Sequence, residues 1–129
     1  MSKLNIDPNT LSRPDRYKLM CALVIPRPIA LVTTISKNGI VNAAPFSFFN
    51  VFSDKPSIVA LGVNAKPEGG LKDTAANIKE QKEFVVHMVT FDIADQMNIS
   101  CVNFPPEVSE IDEANFTLRK SHLIKTPTI

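Results

Sequence analysis

The sequence predicts a mainly β fold, a barrel-like set of strands carrying short helical caps. Three observations lead there. Ile29 to Val41 reads as an antiparallel hairpin with an Asn-Gly turn. Two later runs, Ser57 to Val63 and Glu83 to Thr90, have the length and β-branched content of strands. The helical patterns between these runs are brief, and the first is ended by Pro26 and Pro28. Composition alone leaves a small α+β sandwich open.

In chain order, residues 1–11 are polar and expected to be loose. Ser12 with Pro14 and Asp15 is a helix-start signal, and Tyr17, Met20, Cys21 and Val24 then fall on one helical face. Ile29, Leu31, Thr33 and Ile35 alternate with Ala30, Val32 and Thr34, the period of a strand with both faces buried. Ser36-Lys37-Asn38-Gly39 supplies the turn, and Ile40-Val41 begins the return strand. Ser53-Asp54-Lys55-Pro56 is a second turn. Ser57 to Val63 carries apolar residues on both faces. Asn64 to Gly70 reads as a mobile loop. A helix is predicted over Asp73–Gln81 with Leu71, Ala75 and Ile78 on its apolar side. After the strand Glu83–Thr90, Asp92 to Asn98 forms a short helix with Ile93 and Met97 inward. From Ser100 the chain is irregular, with a helical turn near Ile111–Asn115. Lys120 to Ile129 is an edge strand or a tail.

A chain of 129 residues holds one core's worth of sequence, enough to bury roughly two thirds of its unfolded surface. We therefore expect a single domain over 1–129. With 44% hydrophobic and 21% charged residues it reads as globular and not disordered. A net charge of +1 gives no electrostatic case for nucleic acid or an anionic membrane. No apolar run approaches the roughly 20 residues of a spanning helix. The N-terminus lacks the apolar core of a signal peptide, so a cytoplasmic location is expected. Cys21 and Cys101 are too few for a disulfide framework, and neither sits in a CxxC pair.

No nucleophile elbow, phosphate-binding glycine loop or metal-ligand spacing is present in the sequence. His87 alternates within a predicted strand and reads as a packed or solvent-facing residue. Cys21 reads as core, and Cys101 leaves a redox role open. Ala43-Ala44-Pro45 precedes Phe46, Phe48 and Phe49, so small residues would let a flat ligand approach the backbone beside Ser47 and Asn50. Phe46, Phe48, Phe49 and Phe52 by themselves read as core or as an interface. Arg27, held between two prolines, could clamp an anionic group or be a surface arginine. Lys72-Asp73-Thr74 opens a helix whose free amides suit a phosphate, or Asp73 simply caps it. Thr33 and Thr34 either bond a ligand or are ordinary strand residues.

Pro26-Arg27-Pro28-Ile29-Ala30-Leu31-Val32, Gly39 to Asn42, and Ala44-Pro45-Phe46-Ser47-Phe48-Phe49-Asn50 resemble the FMN-binding split-barrel family of flavin reductase-like proteins. Flavoredoxin and the reductase components of two-component monooxygenases belong to it. Lys72-Asp73-Thr74 with Asn77-Ile78, Phe84-Val85-Val86, Met97-Asn98 and Asn103-Phe104-Pro105-Pro106 extend the likeness across nearly the whole chain. The resemblance implies a Greek-key split barrel that binds FMN at a homodimer interface. It assigns the cofactor to Arg27 and Pro28, to Thr33 and Thr34, and to Ala44, Pro45, Phe46, Ser47, Phe48, Phe49 and Asn50. Lys72, Asp73 and Thr74 complete the set, with no catalytic side chain and no metal. The implied activity is an NAD(P)H-dependent oxidoreductase that passes electrons through FMN to a flavin-dependent monooxygenase or another acceptor. A non-catalytic FMN-binding electron carrier on the same scaffold is the alternative, and a structural dimer without flavin is a third reading. The family continues with further strands, so a C-terminally incomplete domain is expected.

Overall fold

The turn between Ile35 and Val41 fixes the register of the sheet that everything else packs on. The computed structural model describes residues 5–105 and 107–129. Gly39 takes φ +85°, and nothing lies within 4 Å of a Cβ placed there. The glycine is therefore required by conformation and not by space. Its amide donates to the Ser36 carbonyl at 3.0 Å, and the Ser36 amide donates to the Ile40 carbonyl at 2.8 Å. Gly39 alone carries the positive φ, so this is a three-residue loop ending in a left-handed glycine.

In chain order the elements are α1 (Arg13–Leu23), β1 (Ala30–Ile35), β2 (Val41–Phe46), β3 (Phe49–Asp54), β4 (Ser57–Leu61), α2 (Asp73–Gln81), β5 (Val85–Met88), α3 (Ala94–Ile99) and α4 (Glu110–Glu113). Tight helical turns at Pro8–Thr10 and Phe91–Ile93 precede α1 and α3. The first of these corrects the expectation of a loose N-terminus: the Asp7 carboxylate accepts from the Asn9 amide at 2.9 Å and orders the segment. Residues 1–4 and Pro106 lie outside the described residues.

β1 is the central strand of a three-stranded antiparallel sheet ordered β2-β1-β5. Its register runs from Ala30↔Phe46 to Ile35↔Val41 on one side and from Ala30↔Met88 to Thr33↔Val85 on the other. β5 returns across β3, β4 and α2 to reach β1, the long connection of a Greek key. β3 and β4 form a separate two-stranded sheet turned by Lys55-Pro56. The two sheets do not close on one another, which leaves an open barrel.

The two faces of the main sheet are covered differently. On one, Leu31 and Ala43 pack with Met97 of α3, with Ile111 of α4, and with Ala114 and Phe116. Ile93 and Met97 point inward as expected. On the other, α2 meets the sheet through polar groups. Asn77 Nδ2 donates to Thr34 Oγ1 at 3.0 Å, and Asn42 bonds Thr74 at 3.1 Å. This corrects the apolar side expected of α2, because Leu71 is 51% exposed while Thr74 and Asn77 are buried. The reason is the partner, since β1 and β2 present Thr34 and Asn42 there.

Two further expectations change. The apolar face of α1 buries no residue, because the helix lies outside the core. The strand predicted to Val63 ends at Leu61 and is exposed, because β3–β4 has no layer over it. Of the edge strand and the tail left open for Lys120 to Ile129, the structure shows the tail, paired among the described residues through an isolated Arg119↔Thr128 bridge. It is nonetheless anchored, since Thr126 is fully buried and bonds Glu83 Oε1 through its amide at 2.7 Å and its hydroxyl at 2.9 Å.

Replacing Gly39 by alanine places a Cβ in the left-handed region and should cost about 1–2 kcal/mol. Gly39→Asn should cost less, because asparagine tolerates that region. Urea midpoints of the two variants check the order.

Candidate functional site

β2 ends at Phe46 and β3 begins at Phe49, so Ser47 and Phe48 form the bend between the two sheets. Gly62, just after β4, zips that bend down: its amide donates to the Phe48 carbonyl at 2.7 Å. A Cβ on Gly62 would stand 2.9 Å from the Phe48 Cβ, so only glycine allows the approach.

Arg27 reaches the same bend from the other side. Its Nε donates to Ser47 Oγ at 3.3 Å, and its guanidinium carbon lies 6.0 Å from the centroid of the Phe48 ring. Nη1 donates to the Cys21 carbonyl at 2.5 Å and to the Val24 carbonyl at 3.0 Å. These carbonyls belong to the end of α1, where helix geometry leaves acceptors without intrahelical partners and the dipole favours a cation. Tyr17 of α1 meets Phe48 with ring centroids 5.7 Å apart.

Between α1 and the β3–β4 hairpin these contacts leave a cavity of about 480 Å³. Ser47, Phe48, Phe49 and Asn50 form its floor, and Pro26, Arg27 and Pro28 one rim. Met20 and Val24 of α1 make one wall, and Phe52, Ala60 and Gly62 the other. An apolar, aromatic-floored hollow with a few polar groups at its edge is the usual form of a small-molecule site. It suits a flat heteroaromatic ring: the phenylalanines offer stacking surface, and Ser47, Asn50 and Arg27 can meet polar ring atoms.

The residues singled out in sequence separate into three places: the cavity and the strand leading into it, the interior of β1, and the start of α2. Arg27, Pro28, Ser47, Phe48, Phe49 and Asn50 line the cavity. Ala44, Pro45 and Phe46 belong to β2, which leads into the bend, and are not in the lining. Thr33 and Thr34 are fully buried on opposite faces of β1. Thr33 Oγ1 donates to the Pro127 carbonyl at 2.8 Å and lies 3.2 Å from His87 Nε2, while Thr34 accepts from Asn77. Lys72, Asp73 and Thr74 begin α2, away from the cavity lining. Lys72 occupies the cap position with no side-chain capping bond, so Asp73 does not cap the helix; it pairs with Lys66 at 3.3 Å.

Phe52, read with the other phenylalanines, also lines the cavity, whereas Met20, Val24, Pro26, Ala60 and Gly62 were not anticipated there. A glycine inside a strand pattern is the signal that could have marked Gly62.

Glu110 was also missed. At the start of α4 it is 9% exposed, and its Oε2 accepts from the Ala43 amide at 3.3 Å. Ser109 Oγ donates to the neighbouring Val41 carbonyl at 2.5 Å. Together they cover the outer edge of β2, whose next outward-facing residue is Pro45, a residue with no donor to satisfy. With the Asn42 amide turned to suit its neighbours, its nitrogen donates to Glu110 Oε1 at 3.3 Å and its oxygen accepts from Thr74 at 3.1 Å. Burial pushes the Glu110 carboxyl above the ordinary glutamate range, and Asp73 adds to the rise against two backbone amides that oppose it. Burial likewise lowers His87 and raises the Cys101 thiol.

Among the described residues no group of three or more His, Cys, Asp or Glu could hold a metal ion. Nor is any helix long and apolar enough to cross a membrane.

The family described as flavin reductase-like domain matches residues 22–129. An uncharacterised protein of Halalkalibacterium halodurans is 44% identical over 126 residues, 98% of this chain and 60% of its own length. The chain thus spans less than two thirds of that relative. Nitrilotriacetate monooxygenase component B from Bacillus cereus superposes with a TM-score of 0.92 at 38% identity, covering 99% of this chain and 63% of that one. The 2-nitrobenzoate 2-nitroreductase of Pseudomonas fluorescens gives 0.81 at 37% identity, covering 97% and 59%. A Shewanella frigidimarina split-barrel protein shares the fold at a TM-score of 0.78 and 17% identity, over 94% of this chain and 59% of its own.

A carboxyl whose folded-state pKa is raised stabilises the fold at low pH, and that contribution is lost as pH rises through the raised value. Melting temperatures between pH 4 and 8 should therefore show a Glu110-dependent decline toward neutrality. Glu110→Gln should flatten the decline and gain most over the parent at pH 7 to 8. A profile identical to the parent's would show that Glu110 does not titrate in this range.

Proposed function

This chain belongs to the flavin reductase-like domain family, and we propose that its cavity seats the isoalloxazine ring of FMN in an NAD(P)H-dependent oxidoreductase. The observation carrying the reading is the shape and chemistry of the hollow: about 480 Å³, floored by Phe48 and Phe49, with polar groups gathered along one edge. Bound FMN would supply the electron chemistry, accepting a hydride from the nicotinamide and passing electrons to a second acceptor. The chain's own residues bind and orient. Phe48 and Phe49 give the ring a surface, Ser47 and Asn50 offer hydrogen bonds, and Phe52 helps exclude water.

Lys72, at the start of α2, is the proposed phosphate partner. β2 joins the two regions, running from Asn42 beside Thr74 to the bend at Ser47, roughly 17 Å by strand rise. A single FMN using both would lie extended along that strand. Thr33 and Thr34, fully buried and already bonded, support the sheet in this reading and do not touch the ligand.

A second copy of the chain is the proposed cover for the exposed apolar surface beside the cavity. Val51 is 64% exposed, Phe52 70% and Ile25 74%, more than an isolated surface normally leaves together. The acceptor is proposed to be a partner monooxygenase, by likeness to the Bacillus cereus component B. The cytoplasm, where NAD(P)H is made, is the matching compartment. Among the described residues Arg27 is the single titratable side chain in the cavity lining, and because hydride transfer to a flavin needs no protein acid or base, that lining suits the oxidoreductase and the non-catalytic electron carrier alike.

The purified protein mixed with FMN should keep a flavin absorption band through gel filtration and oxidise NADH or NADPH. Flavin retention without oxidation would favour the carrier, and no retention would overturn the flavin assignment. Lys72→Ala should weaken FMN about tenfold while leaving riboflavin nearly unchanged, the size of one charge-assisted bond. Equal losses for both ligands would remove Lys72 from the site.

A further inference from the structure

We propose that Arg27 is a positioning residue that staples α1 over the cavity, and that release of this staple opens the route by which a flat ligand enters and leaves. This rests on reading the cavity as the flavin seat. Within one copy of the chain the helix is poorly held by packing. It contains no buried residue, and Leu23 is 68% and Tyr17 50% exposed. Yet it contributes Met20, and Val24 directly after it, to the cavity wall. Whatever fixes α1 therefore fixes the width of the site.

The polar attachments are few. Arg27 Nη1 holds the carbonyls of Cys21 and Val24, and Nε holds Ser47 in the cavity floor. At the far end of the helix, Arg13 Nη2 donates to the Ala65 carbonyl at 2.9 Å. Tyr17 leans on Phe48, the ring over which Arg27 also lies. One guanidinium thus joins the end of the helix to the bend beneath the cavity.

Its own mounting is stiff. Prolines on both sides fix two neighbouring φ angles, and β1 begins only three residues after Arg27. The anchor is rigid and the helix is not, which makes the helix the part that moves. Lysine cannot replace this arrangement. A single ammonium group lacks the planar fork that reaches two helix carbonyls and a serine hydroxyl at once.

The test compares the parent with Arg27→Lys and Arg27→Ala, and uses Ser47→Ala as a milder break of the same bridge. Amide hydrogen exchange on the ligand-free proteins reads the staple directly. Amides of residues 13–23 should exchange about tenfold faster in both arginine variants and by a smaller factor in Ser47→Ala. Amides of β1 should stay protected, which shows that the sheet remains folded. Stopped-flow release should show FMN and riboflavin leaving faster by a common factor of roughly ten. Unchanged exchange in α1 for both arginine variants would overturn the staple. Faster release of FMN with riboflavin unaffected, or full rescue by Arg27→Lys, would overturn it in favour of a direct phosphate contact. If the parent binds neither flavin, the ligand assignment and the entry route fail together, and the exchange result still decides whether Arg27 holds the helix. If the arginine variants lose protection in β1, Ser47→Ala decides: no change in α1 exchange there overturns the proposal.

Discussion

Every element that shapes the cavity takes its place from β1, a strand paired along both edges and shielded on both faces. Ala30 to Thr34 meet no solvent. Burying Leu31 and Val32 stabilises the fold by about 1.5–3 kcal/mol each. The antiparallel bonds on either side fix the heights of β2 and β5. Fixing β2 fixes the bend at Ser47 and Phe48, and fixing the start of β1 fixes the Pro-Arg-Pro segment opposite. The cavity is the gap between two things attached to the same strand.

The free edge of β2 is closed by side chains instead of by another strand. Ser109 and Glu110 bond successive outward groups of Val41 and Ala43. A short helix thereby blunts an edge that could otherwise pair with a foreign chain. Placing a carboxyl there requires taking it out of water, and its neighbours only partly offset that cost. The Glu110–Asn42–Thr74 chain then carries the connection through the edge of the sheet to α2.

Much of the fold was legible because it is local. The hairpin turn, the span of α2 and the inward Ile93 and Met97 all follow from spacing along a few residues. The cavity floor was legible for a different reason, a run of phenylalanines and small residues whose likeness to a known family is itself a pattern in order. What escaped was long-range. Met20, Val24 and Ala60 become neighbours only when β1 is flanked by the bend and the helix. Glu110 is an ordinary acid in a polar stretch until β2 offers it an amide. Arg27 was recognised as unusual, but its partners at Cys21 and Val24 come from a helix end whose open carbonyls have no signature in composition. The α2 face was misread because amphipathic spacing presumes an apolar partner, and here the partner is Thr34 and Asn42.

That polar face gives the sheet a directional side and an undirected one. On the core side, Leu31, Met97 and Phe116 could be exchanged for other apolar residues in many combinations, provided that the total volume is kept. Between β1, β2 and α2, each hydroxyl or amide needs a complementary atom at a fixed angle, and losing one strands its mate. Divergent copies of this sequence should therefore wander freely on one side and change only in matched pairs on the other. An engineer wishing to re-aim α2 would have to rewrite Thr34 with Asn77, and Asn42 with Thr74, as couples.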